Sequence, residues 1–436
     1  MQYRCGNIEG GLRIGTDGKF YPCCLAFTYP YKDDDGNILK ADVHTFDQAL
    51  NSKSAKDLKN ALARGEKHPA CNVCWEAEEA GFESKRIRDS RRYFEKEEEH
   101  YIKEYPILED KELFFLEVNL GNTCNLACRI CGIHASSSWR KDFAKIFDHL
   151  KKSEVNDRVR EFNECFVDES IIWEELDKYI HKVRVIDLYG GEPMLMKKQW
   201  DLLQHCVDKG YSKYQCVHFN TNGTIFNRKY ANILKHFAHT RISFSADGVR
   251  EGFNYTRHPG KWNVIEKNIK NWLNYTKGLD IFSFEITYTT SILNVLHTHA
   301  MAEWVLDHNL STKETGDHII LLYVAFVYGP EWYSIKNIHP EAKKEIIKKV
   351  YRNANTIKAH PAFENHKYIY DECIKVAQTL QNSEEYNEQI FYRFFYDNER
   401  LDKFRKEDFK SVFPELFSIL NKYRPSLGYQ KIVQDV

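Results

Sequence analysis

The stretch FFLEVNLGNTCNLACRIC, residues 114–131, joins a strand-like run to a group of closely spaced cysteines. Apolar and polar residues alternate in the run, and Gly121 ends it. Five similar runs follow at residues 183–189, 216–220, 241–246, 282–288 and 318–328. Because segments of helix length separate them, and parallel strands require long crossover connections, the spacing predicts an α/β fold with a parallel sheet, in the form of a partial (β/α)6 barrel.

Polar residues alternate with apolar ones in five of these predicted strands. The polar positions are Glu117 and Asn119, Asp187 and Tyr189, His218 and Asn220, Ser243, Ser245 and Asp247, and Glu285 and Thr287. Buried parallel strands are usually apolar throughout, so we expect these positions to face a lumen that holds a polar ligand. A sheet with one solvated face is the alternative. Within this set, Asp187, His218 and Glu285 are candidates for orienting a substrate, although the sequence assigns none of them a proton-transfer role.

Cys124, Cys128 and Cys131 follow the first predicted strand with the spacing CxxxCxxC. Three thiolates at this spacing can bind three irons of a [4Fe-4S] cluster and leave the fourth iron open for another ligand. A zinc site would need a fourth ligand nearby, for which His134 is the close candidate. The spacing therefore favours an iron–sulfur cluster over zinc.

The cysteine spacing and several later elements resemble the radical S-adenosylmethionine (SAM) superfamily. These elements are GGEP at 190–193, TNG at 221–223, SFSADG at 243–248, and Arg257. The first two come directly after predicted strands and the third lies at the end of one, which is the end where barrel active sites form. The resemblance covers roughly residues 114–330 and implies the superfamily's partial barrel.

The resemblance also implies how these elements bind SAM. Glycines 190–191 would let the backbone approach the methionine part closely, and Glu192 would accept hydrogen bonds from its ammonium group. Asn222 would bind on the ribose side, Ser245 the ribose or the carboxylate, and Arg257 the carboxylate.

One position departs from the superfamily pattern. Ile130 stands where many members have an aromatic residue before the third cysteine. We therefore expect a backbone contact between Ile130 and adenine without ring stacking.

A second group of cysteines stands near the start of the chain. Twelve residues separate Cys5 from Gly18, and four more precede Cys23. This resembles the CX9-15GX4C half-motif of SPASM and twitch auxiliary-cluster domains, which more commonly follow the barrel. The resemblance implies that a second [4Fe-4S] cluster is bound by Cys5, Cys23, Cys71 and Cys74. Cys24 is an alternate ligand or an idle neighbour, and a structural zinc at the same four thiolates is the alternative.

We expect three regions: an auxiliary, twitch-like iron–sulfur domain at 1–105, the barrel at 106–330 and a helical region at 331–436. The first region has little periodic apolar sequence, so we expect metal to hold it in place of an apolar core. The predicted helices are 53–64, 340–353, 368–381, 385–396 and 409–423.

Residues 84–104 are highly charged, with the basic residues first. The basic residues include Lys85, Arg86, Arg88, Arg91 and Arg92, and the acidic ones include Glu95, Glu97, Glu98 and Glu99. Because the acidic half offsets the basic half, the pattern favours a solvated linker helix over a nucleic-acid patch. An RNA docked on residues 85–92 is the lesser alternative.

Composition limits the partners and the location. The 62 basic and 63 acidic residues leave a net charge of −1, so no global field attracts nucleic acid or an anionic membrane. The longest apolar run, 319–328, is shorter than the ~20 residues of a membrane-spanning helix. The first residues resemble no secretory signal, so we expect a cytoplasmic protein. We expect ordinary thiols at Cys165, Cys206, Cys216 and Cys373.

The resemblance implies an enzyme that reductively cleaves SAM to a 5′-deoxyadenosyl radical, which abstracts hydrogen from a substrate. Such an enzyme needs an external electron donor of the flavodoxin or ferredoxin type. An auxiliary cluster suits oxidative modification of a peptide or protein. The alternatives are a small-molecule, sugar or nucleoside substrate and, from another class, a non-catalytic binding protein stabilised by zinc.

Overall fold

The fold is described from a computed structural model of the 436-residue chain. The structure describes residues 3–95, 113–146, 170–315 and 318–426, together with residues 153 and 157. Cys165 and the acidic residues 97–99 lie outside this part of the chain. Two compact units are present, the first comprising residues 1–123, 158–220 and 227–241, and the second 124–157, 221–226 and 242–436. The division into three regions at 105 and 330 stays a prediction.

Eight strands form one open sheet in the order β2-β1-β3-β4-β5-β6-β7-β8. Their bounds are β1 Gly11–Ile14, β2 Phe20–Tyr21, β3 Phe115–Val118, β4 Val185–Leu188, β5 Cys216–Thr221, β6 His239–Ser245, β7 Phe282–Thr290 and β8 Ile320–Phe326. Strand β1 is antiparallel to β2 and parallel to β3, and the pairs β3–β4, β4–β5 and β7–β8 are also parallel. The predicted α/β class with an open, mostly parallel sheet is confirmed.

All six predicted strands are present, and the sheet has two further strands from the N-terminal segment. Strands β1 and β2 contain only four and two residues, too few to show a periodic pattern. The predicted alternation is clearest in β7, where buried and half-exposed residues alternate over all nine positions.

Helices connect the strands and form most of the C-terminal region. Their bounds are α1 Gly6–Gly10, α2 Phe46–Leu50, α3 Lys53–Ala63, α4 Asn72–Glu79, α5 Lys85–Ser90, α6 Arg140–Ile146, α7 Ser170–Tyr179, α8 Lys197–Asp208, α9 Arg228–Leu234, α10 Arg250–Thr256, α11 Trp262–Thr276, α12 Thr298–Thr315, α13 Pro340–Thr356, α14 Tyr368–Gln381, α15 Glu388–Arg405, α16 Phe409–Val412 and α17 Pro414–Lys422. The helix predicted at 409–423 is divided in two, because Pro414 begins a new helix and cannot continue the old one.

The N-terminal segment has a small apolar core of its own, which corrects the expectation that metal alone would hold it. Helix α3 begins with Ser52 as its N-cap and turns Leu58 and Leu62 inward. These side chains cluster with Ile8 and Trp75 around the buried Cys5. The cysteine group therefore lies in an apolar setting.

The basic half of the charged stretch is not a solvated linker, and that prediction is wrong. Helix α5 is followed by a π-helical turn, Arg91–Glu95. Within these residues, Arg86, Asp89 and Arg92 are at most 7% exposed. These buried charges have partners of opposite charge: Arg86 pairs with Glu78, and Asp89 pairs with both Lys85 and Arg92. In the described part of the chain, no helix is both long enough and apolar enough to cross a membrane.

Candidate functional site

Cys124, Cys128 and Cys131 lie on one loop of the second unit, and none of them forms a disulfide. Burial raises the pKa of Cys131 to about 12, with a contribution from the neighbouring Cys124. Burial likewise raises the pKa of Cys128, and both other cysteines of the loop act on it. The three thiols are therefore close neighbours whose charged forms need positive charge or a metal nearby.

Backbone pairing holds this loop against the segment 256–258. The amide of Ala127 donates to the His258 carbonyl at 2.7 Å, and the amide of Arg129 donates to the Thr256 carbonyl at 2.9 Å. The Trp139 indole donates to the Cys128 carbonyl at 2.9 Å. The loop geometry thus depends on groups distant in sequence.

Two of the predicted SAM-binding residues point at loop thiols. The Asn222 amide nitrogen lies 3.8 Å from the Cys124 sulfur and donates to Asn125 Oδ1 at 2.9 Å. The Arg257 Nη1 atom lies 4.0 Å from the Cys128 sulfur, and its Nε pairs with Asp247 at 2.8 Å. The second unit therefore places a polar amide and a buried guanidinium beside the loop.

The other two predicted SAM-binding residues of this unit, Ile130 and Ser245, are half-buried. Ile130 precedes Cys131 in the loop, and Ser245 ends β6.

The GGEP element belongs to the first unit, where its glycines approach residues 121–123. A Cβ on Gly190 would lie 2.6 Å from the Gly121 carbonyl oxygen, and one on Gly191 would overlap the Thr123 carbonyl. Gly190 also has a positive φ of 116°. The structure thus gives these glycines a packing role that the sequence did not predict.

Glu192 is buried and binds its own backbone neighbourhood. Its amide donates to the Thr123 carbonyl at 2.8 Å, and its Oε1 accepts from the Met194 amide at 3.0 Å. The carboxylate therefore caps the short turn Pro193–Leu195.

The N-terminal cysteines come together in the first unit. Burial raises the pKa of Cys5, and the nearby Cys71 and Cys74 raise it further. Cys23 is a neighbour of Cys5. Cys71 is the N-cap of α4, whose first turn carries Cys74. Burial raises the pKa of Cys74, and the hydrogen bond donated by the Arg86 backbone amide opposes this rise.

The side chain of Arg86 links α5 to α4, the helix with the CxxC motif. Its Nε and Nη2 donate to both carboxylate oxygens of Glu78, at 2.9 and 2.5 Å. Its guanidinium also lies 4.8 Å from the centre of the Trp75 ring. This forked pair fixes the helix that presents Cys71 and Cys74.

A row of charged side chains crosses the sheet of the first unit. Arg13 on β1, Glu117 on β3, Asp187 on β4 and His218 on β5 are in register. Asp187 Oδ1 lies 3.2 Å from His218 Nδ1. Three of the predicted polar positions are therefore neighbours on one face of the sheet.

Lys85 enters this row from α5, although its sequence context does not indicate a site residue. Its ammonium lies 2.8 Å from Asp89, 3.1 Å from Glu117 and 3.8 Å from Asp187. The four-residue spacing of Lys85 and Asp89 on one helix was the available signal, but it was attributed to solvated charges. Cys24 also lies near the row, since Glu117 and Lys85 both affect its pKa.

The two carboxylates of the row differ in proton affinity. Burial raises the pKa of Glu117, and Asp187 adds to that rise. Burial alone would also raise the pKa of Asp187, but the hydrogen bond from His218 and the charge of Lys85 lower it. Glu117 Oε2 has no hydrogen-bond partner among the described residues.

Glu285, the third candidate for orienting a substrate, lies in the second unit. The hydroxyls of Ser243 and Thr287 each donate to its Oε1 at 3.1 Å.

Two family models match the chain. The model of the radical SAM superfamily matches residues 118–290, which include the CxxxCxxC loop. The chain carries a radical SAM domain. A model named SPASM and described as an iron–sulfur cluster-binding domain matches residues 5–75, which include the N-terminal cysteines. The predicted resemblance is confirmed, and the radical SAM domain supports an enzyme. No curated protein matches the chain.

Several solved structures are similar to this chain at low identity. One is native anSMEcpe with bound AdoMet and the Cp18Cys peptide, 16% identical over 56% of this chain and 60% of that chain, with a TM-score of 0.32. Another is Streptococcus suis SuiB bound to its precursor peptide SuiA, 13% identical over 71% of this chain and 67% of that chain, with a TM-score of 0.32. A third is SuiB bound to S-adenosylmethionine, 12% identical over 82% of this chain and 72% of that chain, also at 0.32. This chain thus spans less than two thirds of the length of anSMEcpe, and these scores show nothing about its activity.

The radical SAM and SPASM models imply a [4Fe-4S] cluster, an auxiliary cluster and SAM, which confirms the predicted cofactors. The residues fit these groups, because each cysteine set consists of neighbouring thiols without disulfides. Among the described residues, no group of three or more His, Cys, Asp or Glu side chains is close enough together to hold a single metal ion. A tetrahedral zinc ion holds each thiolate at about 2.3 Å from one centre, whereas a cube binds each thiolate at a different iron.

Proposed function

We propose that this chain is a radical SAM enzyme that oxidatively modifies a peptide or protein. The observation that carries the proposal is the presence of two separate thiol groups, three on the radical SAM loop and four in the N-terminal segment. Three thiolates leave one iron of a cube open, whereas four complete the coordination of a second cube. When bound, the first cluster and SAM supply a radical that removes hydrogen from a substrate carbon.

In this proposal Cys124, Cys128 and Cys131 bind the catalytic cluster, and residues beside them bind SAM. Arg257 pairs with the SAM carboxylate, since a guanidinium fork beside Cys128 suits that anion. The remaining proposed SAM contacts are Ile130, Gly190, Gly191, Glu192, Asn222 and Ser245.

The N-terminal thiols Cys5, Cys23, Cys71 and Cys74 bind the auxiliary cluster in this proposal. Arg86 supports that site by donating its backbone amide to Cys74 and its side chain to Glu78. A second cluster can accept the electron that remains on a substrate radical, which is why an oxidative outcome is favoured. A donor of the flavodoxin or ferredoxin type would reduce the catalytic cluster.

The charged row is the proposed group of side chains that orients the substrate. Asp187 and His218 form one hydrogen-bonded pair, and Lys85 holds the neighbouring Glu117. The buried, unpartnered Glu117 Oε2 can accept a hydrogen bond from a substrate N–H or O–H group. Peptide amides are such donors, and so are the hydroxyls of the alternative sugar or nucleoside substrate.

Anaerobic purification with metal analysis tests the cofactor content. Two cubes predict about eight irons per chain, and one cube plus zinc predicts about four. A colourless protein that contains zinc only would support the non-catalytic binding protein and overturn the enzyme proposal.

Cysteine variants test the separate roles of the two groups. We expect Cys128→Ala to abolish reductive cleavage of SAM, measured as 5′-deoxyadenosine, and Cys71→Ala to retain at least uncoupled cleavage. Cys206→Ala is the matched control, because Cys206 is a fully buried thiol in α8 outside both groups. Complete loss of cleavage in folded Cys71→Ala would contradict separate roles. Peptides labelled with deuterium then test the substrate class. Transfer of deuterium from the peptide to 5′-deoxyadenosine would support a peptide substrate.

A further inference from the structure

Arg129 lies inside the cysteine loop but is bonded to the C-terminal region. It stands between Cys128 and Cys131, and its side chain is fully buried. Its Nη1 donates to Asn398 Oδ1 at 2.8 Å. Its Nη2 donates to Asp402 at 2.5 Å and to Glu407 at 2.6 Å. Helix α15 and the residues that follow it therefore hold this side chain in three places.

The same residue also binds the segment that leads to Arg257. The Arg129 amide donates to the Thr256 carbonyl at 2.9 Å, and its Nε donates to the Tyr255 carbonyl at 3.1 Å. Its guanidinium lies 3.7 Å from the centre of the Tyr255 ring. The Tyr255 hydroxyl in turn donates to Asp402 at 2.9 Å. Arg129 thus joins the loop, the segment 255–257 and α15 in one network.

A second arginine, Arg405 at the end of α15, binds the other side of the cysteine loop. Arg405 donates to the Ala127 carbonyl at 2.7 Å and, through Nε, to Asp142 at 2.9 Å. Glu407 also pairs with His258 at 2.6 Å. His258 follows Arg257 directly, so the C-terminal groups bind both flanks of Arg257.

We propose that Arg129 is a positioning residue that sets the distance between the cysteine loop and Arg257. The planar guanidinium makes five hydrogen-bonding or stacking contacts in fixed directions, which a lysine ammonium cannot reproduce. Through its contacts with the Tyr255 carbonyl and ring, it keeps Arg257 Nη1 within 4.0 Å of the Cys128 sulfur. The C-terminal helix α15 is then part of the SAM-binding machinery without touching SAM. This inference rests on the proposed function insofar as Arg257 binds the SAM carboxylate.

The test compares Arg129→Lys with the unchanged full-length protein after anaerobic reconstitution. The first readout is the iron content, and the second is the dissociation constant for SAM, from the change in the electron paramagnetic resonance spectrum of the reduced cluster. We expect wild-type iron content and a dissociation constant raised at least about tenfold, with cleavage restored to within about threefold of the wild-type rate at saturating SAM. Glu399→Gln is the control, because Glu399 lies on α15 and, within the described part of the chain, its carboxylate pairs with the half-exposed Arg424 and not with Arg129.

A second variant covers the case in which Arg129→Lys does not fold. The combination of Arg129→Met, Asp402→Asn and Glu407→Gln removes the charge of Arg129 together with those of its two carboxylate partners, so that neither carboxylate is left without its arginine. It should also keep its iron and lose SAM affinity by about tenfold or more. Unchanged SAM affinity in either folded variant overturns the positioning role, and loss of iron assigns Arg129 to cluster binding instead. If the wild-type protein binds iron but no SAM, both the inference and the proposed function fail. If the wild type and the folded variants bind SAM with equal affinity, the inference alone is overturned.

Discussion

The Lys85 ammonium lies 3.1 Å from Glu117 Oε1, so a helix just after the N-terminal cysteines is ion-paired to the strand just before the radical SAM loop. Both side chains are at most 9% exposed. The same ammonium also lies 2.8 Å from the Asp89 carboxylate and 3.8 Å from the Asp187 carboxylate. A single lysine ammonium therefore lies within ion-pairing distance of carboxylates from one helix and two strands.

Lys85→Met should destabilise the protein by about 3–5 kcal/mol, because it leaves buried carboxylates without their cation. The measurement is the shift of the denaturant midpoint at neutral pH. Lys197→Met is the matched control, since Lys197 pairs with Asp201 on the surface and should contribute less than about 1 kcal/mol. Equal midpoints for the two variants would show that the buried cluster adds nothing to stability.

His297 should make the second unit less stable in acid. Burial and the neighbouring His299 lower the pKa of His297 from 6.5 to about 4, although Glu415 opposes this. The folded protein therefore prefers the neutral ring, and the unfolded chain binds the proton first. This stability is present above pH 6.5 and is lost as the pH falls to about 4, at a cost of about 3 kcal/mol.

Thermal unfolding of the wild type and of His297→Gln between pH 7 and 4 measures this effect. The variant should lose less stability than the wild type as the pH falls from 7 to 4. If the melting temperatures of the two proteins fall in parallel with pH, His297 is not the group responsible. His297 packs 4.7 Å from the Phe413 ring, so the comparison uses the slope with pH and not the absolute stability.

Gly191→Ala should lower stability by about 1–3 kcal/mol and weaken SAM binding. The new Cβ would overlap the Thr123 carbonyl, and backbone must move to accommodate it. Gly252→Ala is the control, because its Cβ would meet only the Phe413 ring at an ordinary contact distance of 3.4 Å. Unchanged melting and SAM affinity in Gly191→Ala would show that the close approach is not needed.

Cys23→Ala should lose the auxiliary cluster, whereas Cys24→Ala should retain it. Cys23 packs against the apolar cluster that contains Cys5. Glu117 and Lys85 act on the pKa of both thiols, but Cys5 also acts on that of Cys23. Iron analysis of the anaerobically purified variants should show about four fewer irons in Cys23→Ala only. The opposite result would make Cys24 the ligand.

The two cysteine motifs could be recognised from the sequence because they are local. The spacing of Cys124, Cys128 and Cys131, and the half-motif from Cys5 to Cys23, lie within short stretches of chain. The alternation in the strands likewise predicted that Glu117, Asp187 and His218 would share a face, since the side-chain period of a strand is two. Periodicity and spacing are properties of neighbouring residues, and one chain displays them directly.

The partners of Lys85 and Arg129 could not be predicted in this way. Lys85 was assigned to a solvated helix because a basic run followed by an acidic run looks the same whether it is exposed or buried. Arg129 looked like a spacer between two cysteines, but its partners come from residues 398–407. Charge is visible in a sequence, whereas burial and the choice among many opposite charges depend on the folded path of the chain. The sequence by itself thus determined the strand pattern and the two groups of closely spaced cysteines. Only the tertiary structure decided which charged side chains lie beside them, because ion pairs form between residues that folding brings together.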